Sequence, residues 1–151
     1  MNNQMELSFL SLAENEAFAR MVISAFLMQL SPTMSLVSEV RTAVSEAVTN
    51  AVVHAYAGKA DGKVFLRASL DEQKVEIEVE DFGCGIEDVA QAMTPFYTSQ
   101  PDQERTGMGF SLMLSFMDGV HVTSAPGSGT LVKMTKLLHE EDVDAVGPGG
   151  G

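Results

Sequence analysis

The 151 residues carry a formal net charge of −12, with 45% apolar and 20% charged residues. That balance fits one soluble globular domain with a core of its own, and it argues against a nucleic-acid or anionic-membrane surface, because both need clustered Lys and Arg. The single cysteine, Cys84, excludes a disulfide framework and a cysteine metal cluster; no apolar run approaches the ~18 residues of a membrane span; and "MNNQMELSF" has neither the basic region nor the apolar core of a signal peptide, so a reducing cytoplasm is the expected setting.

Along the chain, "MELSFLSL" alternates and predicts a short strand. "AENEAFARMVISAFLMQL" predicts a helix of about five turns. "SPTM" breaks it and offers Ser or Thr as a cap. A second helix is expected from about Leu36 to Tyr56, ending at the Gly-rich "AGKADGK". "KVFLRASL" and "KVEIEVED" alternate with period two around "DEQ" and predict a hairpin. Its second strand puts Val75, Ile77 and Val79 on a dry face and Glu76, Glu78 and Glu80 on a wet one. "DFGCGIEDVAQAM" predicts a glycine turn into a short helix, "TPFYTSQPDQERTGMG" a long loop and "MGFSLMLSFM" a helix. "GVHVTS" and "GTLVKMTKLL" predict two more strands around "APGSG". The expectation is an α/β two-layer sandwich, helices on one face of a mixed β-sheet. It spans residues 1–138 as a single domain, with an acidic, Gly-rich, disordered tail at 139–151.

Within the second helix, Val37, Val40, Val44, Val48, Ala51 and Ala55 form one stripe at about 100° per residue. Glu39, Thr42, Glu46, Thr49, Asn50 and His54 form the opposite one. Most polar stripes are simply solvated. Solvated faces, however, favour Lys, Glu, Arg and Gln, whereas Thr, Asn and His cost helix propensity. This face therefore reads as the wall of a site. An Asn oxygen can be a single ligand for Mg²⁺, which keeps its waters and takes other ligands from phosphates. A Glu one turn away can orient or deprotonate a hydroxyl nucleophile.

Three glycine stretches follow. "EDFGCGI" sets Asp81 at a strand end before Gly83 and Gly85. "RTGMGFS" sets Gly107 and Gly109 at a helix start, where backbone N–H groups can approach a phosphate. "GSGT", Gly127 to Thr130, is by itself a hairpin turn. A Rossmann reading fails, since "GMG" follows a loop and lacks the third glycine, and there is no Gly-Lys-Ser/Thr for a Walker loop.

Taken together and in this order, Glu46-xxx-Asn50, Asp81-x-Gly83-x-Gly85, Gly107-x-Gly109 and Gly127-x-Gly129-Thr130 resemble the Bergerat-type ATP-binding fold shared by gyrase, Hsp90, histidine kinases and MutL. The resemblance covers nearly the whole chain. It implies that Asp81 bonds the adenine amino group with Thr130 in support, that Gly83 and Gly85 let the chain pass close to the nucleotide, and that Asn50 holds Mg²⁺. It also implies a phosphate lid from about Met93 to Met108, which brings Thr98, Arg105, Thr106, Gly107, Met108 and Gly109 to the nucleotide. "ENEAFAR", "SEAVTNAVVHAY" and "ERTGMGFSLMLSFMD" are similar to the bacterial anti-sigma factors that are also serine kinases, the sporulation branch above all. That family implies a homodimer that binds a sigma factor and uses ATP to phosphorylate a serine of an anti-anti-sigma protein, with Glu46 as catalytic base. Alternatives are a stress-response anti-sigma kinase and a nucleotide-gated binding module with vestigial catalysis. The family lid carries a Lys where this chain has Gln100, which bears on transfer rather than on binding. A histidine kinase would need a preceding helical hairpin, and a gyrase-like or MutL-like ATPase a further domain.

Four residues of the first helix are expected at a protein contact: Glu16, Arg20, Ile23 and Leu27. Phe18, Met21, Val22, Ala25 and Phe26 form the stripe expected to pack on the sheet. That leaves Ile23 and Leu27 on the opposite, apolar side beside the Glu16–Arg20 pair, and contiguous exposed apolar surface marks a contact. Cys84 reads as a small filler between glycines, His54 as a helix-end group, and the ten Met residues as adaptable core.

Overall fold

Period-two patterning builds the sheet. In the computed structural model, which describes residues 2–93 and 105–143 and the side chains of all of these but 105–109, the strands are β1 (Asn3–Leu10), β2 (Lys63–Leu70), β3 (Lys74–Asp81), β4 (Gly119–Ala125) and β5 (Gly129–Leu137). They form one sheet in the order β1-β2-β3-β5-β4. Val64, Leu66 and Leu70 of β2, Val75, Ile77 and Val79 of β3, and Val132 and Met134 of β5 are buried on one face. The other face is open and charged. There Arg67 pairs with Glu6 at 3.0 Å, Glu78 at 3.2 Å and Glu80 at 2.5 Å.

The two-layer α/β sandwich holds, with one correction: the sheet is antiparallel throughout, not mixed. The segment after β3 leads to β4 at the sheet's edge, and β5 then turns back into the gap between them. β3 and β4 run the same way, but β5 separates them, so no parallel ladder forms.

The helices are α1 (Glu14–Leu27), α2 (Met34–Thr49), the short α3 (Val89–Ala92) and α4 (Arg105–Phe116). Thr33 caps α2, its hydroxyl accepting from Leu36 N–H at 3.2 Å. The apolar stripe of α2 is the centre of the core: Val40, Val44 and Val48 are fully buried. α1 and α4 pack on either side of it. Lys136 of β5 ties the layers together, donating to Glu39 of α2 at 2.9 Å and to the Phe116 carbonyl at the end of α4 at 2.6 Å.

α1 is rotated from the expected orientation. Ala19, Ile23 and Leu27 are the buried row, all three at 0% exposure, whereas Phe18 and Met21 are 47% and 72% exposed. Residues four apart line one face of a helix, and Ala19 starts the row that enters the core. Ile23 and Leu27 are therefore core residues and cannot face a partner. Glu16 and Arg20 do pair, at 2.7 Å, and Glu16 also accepts from Ser45 Oγ of α2 at 2.6 Å. The pair thus braces α1 against α2 as well as standing partly exposed.

Two other boundaries differ from expectation. Arg105 to Met108 are the first turn of α4 rather than loop. The chain from His139 to Val143 is folded: Glu140–Asp142 make a 3₁₀ turn, Thr33 N–H donates to the Asp142 carbonyl at 2.8 Å, and Val143 bridges to Pro32. Residues 144–151 of the expected tail lie outside the described residues.

Candidate functional site

α2 does not run regularly to Tyr56. From Asn50 to Ala55 it widens into a π-turn, in which Tyr56 N–H reaches back five residues to the Ala51 carbonyl at 3.2 Å. Such widenings are rare and collect at functional sites. This one points the carbonyls of His54 and Ala55 at the loop after β3. Cys84 N–H donates to the Ala55 carbonyl at 2.9 Å, and the Cys84 thiol lies 3.6 Å from that of His54. The Tyr56 hydroxyl accepts from Phe82 N–H and donates to the Lys63 carbonyl, both at 2.7 Å.

Between this π-turn, the loop and α4 lies a cavity of about 540 Å³, within the size range of small-molecule sites. Asn50, Ala51 and His54 of the helix form one wall, and Ile86, Asp88 and Gln91 of the loop and α3 form the other. Asp81, Thr130, Val79 and Val132 close it at the sheet, and Phe110 at α4. The structure thus brings Asn50, Asp81, Gly85 and Thr130 to one cavity. Glu46 lies one turn before Asn50 and is not among the wall residues. Thr98 falls outside the described residues. Arg105, Thr106, Gly107, Met108 and Gly109 are placed by backbone only, in the first turns of α4.

The sheet sets the head of the cavity. Asp81 and Thr130 are register partners on β3 and β5, and only 6% and 8% exposed. Burial raises the Asp81 pKa above the ordinary carboxylate value, and hydrogen bonds from the backbone N–H groups of Gly83 and Thr130 oppose that rise. The Gly83 bond is 2.9 Å long. A buried carboxylate with acceptor capacity left over suits a ligand N–H donor.

The glycines serve the chain before they serve a ligand. A Cβ on Gly83 would overlap the Ala55 carbonyl, and one on Gly129 would overlap the Asp81 carbonyl. Gly85, at φ +76°, lies against the Ala125 carbonyl in the same way. Close approach of backbone to backbone, with positive φ at Gly85 and Gly129, demands glycine here.

At the helix wall, the Asn50 side-chain nitrogen is buried and, among the described residues, has no hydrogen-bond partner. Orphaned buried polar atoms are uncommon and ask for a ligand. Among the described residues no group of three His, Cys, Asp or Glu side chains could hold a metal. The Asn50 nitrogen can only donate, so it suits an acceptor on a ligand; the oxygen of the same amide is the kind of single protein ligand that Mg²⁺ takes together with substrate phosphates and water, and the lining does not fit a resident metal cage. Among the described residues no helix is long and apolar enough to cross a membrane.

A family model for the histidine kinase-like ATPase domain matches residues 9–136. The anti-sigma F factor of Caldanaerobacter subterraneus subsp. tengcongensis is 53% identical over 137 residues, which are 91% of this chain and 95% of the relative. The anti-sigma F factor of Clostridium novyi is 52% identical over 136 residues, 90% and 95% of the two chains. The chain belongs to the anti-sigma F factor family of histidine kinase-like ATPase domains. Solved structures agree with the fold. The RsbU and RsbW domains of Rv1364c from Mycobacterium tuberculosis align at a TM-score of 0.65 and 19% identity, over 89% of this chain and 32% of that one. The catalytic domain of histidine kinase ThkA aligns at 0.56 and 14%, over 88% and 97%.

Sequence reasoning did not single out Ile86, Asp88, Gln91 and Phe110 as cavity walls, nor Ser124. The Ser124 hydroxyl lies 2.8 Å from each of Ile86 N–H, the Gly129 carbonyl and Thr130 Oγ1. Its signal was faint but present: in "GVHVTS" the alternation that points Val120 and Val122 inward points Ser124 inward too.

Proposed function

We propose that this member of the anti-sigma F family holds a sporulation sigma factor in the cytoplasm and, as an ATP-dependent serine kinase, phosphorylates an anti-anti-sigma protein. The observation that carries the reading is the buried Asp81 carboxylate, registered with Thr130, at the head of a cavity whose helix wall bears Asn50. A carboxylate there accepts a hydrogen bond from the exocyclic amine of adenine, and guanine presents a carbonyl instead. Mg²⁺, when bound, neutralises charge on the transferring phosphates, and Asn50 would hold it. Glu46 takes the proton of the partner's serine hydroxyl as its oxygen bonds to the γ-phosphorus and the bond to the β-phosphate oxygen breaks. The lid that the family implies, with Thr98, Arg105, Thr106, Gly107, Met108 and Gly109, covers the phosphates. Glu16 and Arg20, on the partly exposed side of α1, are the charged pair offered to a partner protein in a homodimeric complex.

The test is incubation of the chain with labelled ATP, Mg²⁺ and an anti-anti-sigma protein. Label on a serine of the partner, lost in Glu46→Ala, supports the kinase. Nucleotide binding without any label supports the second reading, a nucleotide-gated binding module, which the position of Glu46 outside the cavity wall favours. Arg20→Glu should weaken sigma-factor capture without altering ATP affinity; unchanged capture removes Arg20 from the partner surface.

A further inference from the structure

The hydroxyl of Ser124 sits behind Thr130, outside the cavity, and makes three polar contacts with one proton to give. Ile86 N–H donates to it at 2.8 Å. The Gly129 carbonyl, also at 2.8 Å, can only accept, so the Ser124 proton goes there. The third contact is with Thr130 Oγ1 at 2.8 Å. A serine hydroxyl has one donor hydrogen and two lone pairs. All three contacts are satisfied together only when Thr130 donates its own hydrogen to Ser124.

This proton count has a consequence on the cavity side. With its hydrogen turned away, Thr130 presents only lone pairs beside the Asp81 carboxylate, itself an acceptor when ionised. Thr130 is only 8% exposed, so bulk water does little to blur that polarity. The side chains at the head of the cavity then form an acceptor-only edge. An exocyclic amine, which carries two donor hydrogens, fits it, whereas a carbonyl oxygen meets lone pairs on both sides. Leaving a buried polar pair mismatched costs more than a matched pair gains.

We propose that Ser124 is a positioning residue for nucleobase selectivity: by fixing the direction of the Thr130 hydroxyl, it makes the cavity reject a 6-oxo purine in favour of a 6-amino purine. The same hydroxyl, by accepting from Ile86 N–H, holds the loop that forms the far wall. The inference rests on the ATP-binding reading above.

The experiment compares ATP with inosine triphosphate, which differs from ATP only in this edge of the base: a carbonyl at position 6 and a hydrogen on the adjacent ring nitrogen. Calorimetry would measure both on the same preparation of intact chain with Mg²⁺, for the parent, Ser124→Ala, Ser124→Thr and Thr130→Val. The ratio of the two affinities does not depend on what fraction of a preparation is folded. In Ser124→Ala the Thr130 hydroxyl is free to turn its hydrogen into the cavity and donate to the carbonyl. The ATP-over-inosine preference should then fall about two- to tenfold, the range spanned by one hydrogen bond. Ser124→Thr, which keeps the hydroxyl, should restore it. Thr130→Val, which removes those lone pairs, should weaken ATP binding and lower the preference as well; a parental ratio there overturns the part given to Thr130. A parental ratio in Ser124→Ala overturns the role of Ser124 while leaving the nucleotide reading intact. Equal binding of the two nucleotides by the parent overturns the adenine reading itself.

Discussion

The two ends of the cavity are built by different means. The sheet end, with Asp81, Thr130, Gly83 and Gly129, is fixed by strand register and by backbone packed directly on backbone. The helix end, with Asn50 and His54, hangs on the last turns of one helix, where regular geometry gives way to a π-turn, and Glu46 stands one turn before it. At the sheet end one residue serves fold and ligand at once, so a substitution touches both. At the helix end the side chains stand on a scaffold whose apolar stripe lies on its other side, so function can be removed and the fold left standing.

The largest effect expected from that contrast is at the helix end. Glu46→Ala should lower phosphoryl transfer to the anti-anti-sigma protein by ~10²–10⁴-fold, the usual contribution of a general base, with ATP affinity and melting temperature close to the parent's. Normal turnover would make Glu46 structural. Asn50→Ala should lose the Mg²⁺ dependence of nucleotide binding and transfer with it, again with little change in melting; a variant that still binds more tightly with Mg²⁺ than without removes Asn50 as the ligand.

At the sheet end, Gly83→Ala should cost about 1–3 kcal/mol of stability, as overpacking does, because the new methyl meets the Ala55 carbonyl. Chemical denaturation would read it. A Gly83→Ala variant as stable as the parent but poor in nucleotide binding would mean that the glycine serves the ligand alone, and the contrast between the ends would fail.

The smallest effect is a matter of pH. Burial raises the folded pKa of Asp81 above its unfolded value, which is about 3.9 for Asp. Its contribution to stability is then fully present below that value and is lost as pH rises through the folded pKa. Asp81→Asn has no such titration. The stability of the parent relative to Asp81→Asn should therefore decline from about pH 4 upward and level off above the folded pKa. A parent that gains on the variant as pH rises would show that the hydrogen bonds from Gly83 and Thr130 outweigh the burial.

What the sequence made legible follows the same division. The hairpin of β2 and β3 is plain in "KVFLRASL" and "KVEIEVED", where strict alternation leaves one pairing of faces. Asp81 stands out because it closes an inward-facing row of Val75, Ile77 and Val79. The stripe of α2 was readable because one side is valine and the other is short and polar. α1 was not, because Phe18 and Met21 are as apolar as Ile23 and Leu27, and period alone cannot say which side meets α2. The burial of Ala19 together with Ile23 and Leu27 marks the inward side. The antiparallel pairing of β3 with β5 was hidden because a long intervening segment leaves the order of the last two strands open. The π-turn leaves no mark in residue type, only in the hydrogen bonds of Tyr56 and Cys84. Ser124 was passed over because its role is a count of protons among three neighbours, which no pattern along one strand displays.

The central claim is that the Asp81 end of the cavity reads adenine. Calorimetric titration of the intact chain with ATP and with GTP, in the presence of Mg²⁺, on the parent and on Asp81→Asn, tests it most directly. The account predicts tight ATP and weak GTP binding by the parent, and a loss of about 10- to 100-fold in ATP affinity on substitution, the worth of a hydrogen bond to a charged group. Equal affinity for the two nucleotides, or an undiminished grip on ATP without the carboxylate, would contradict it.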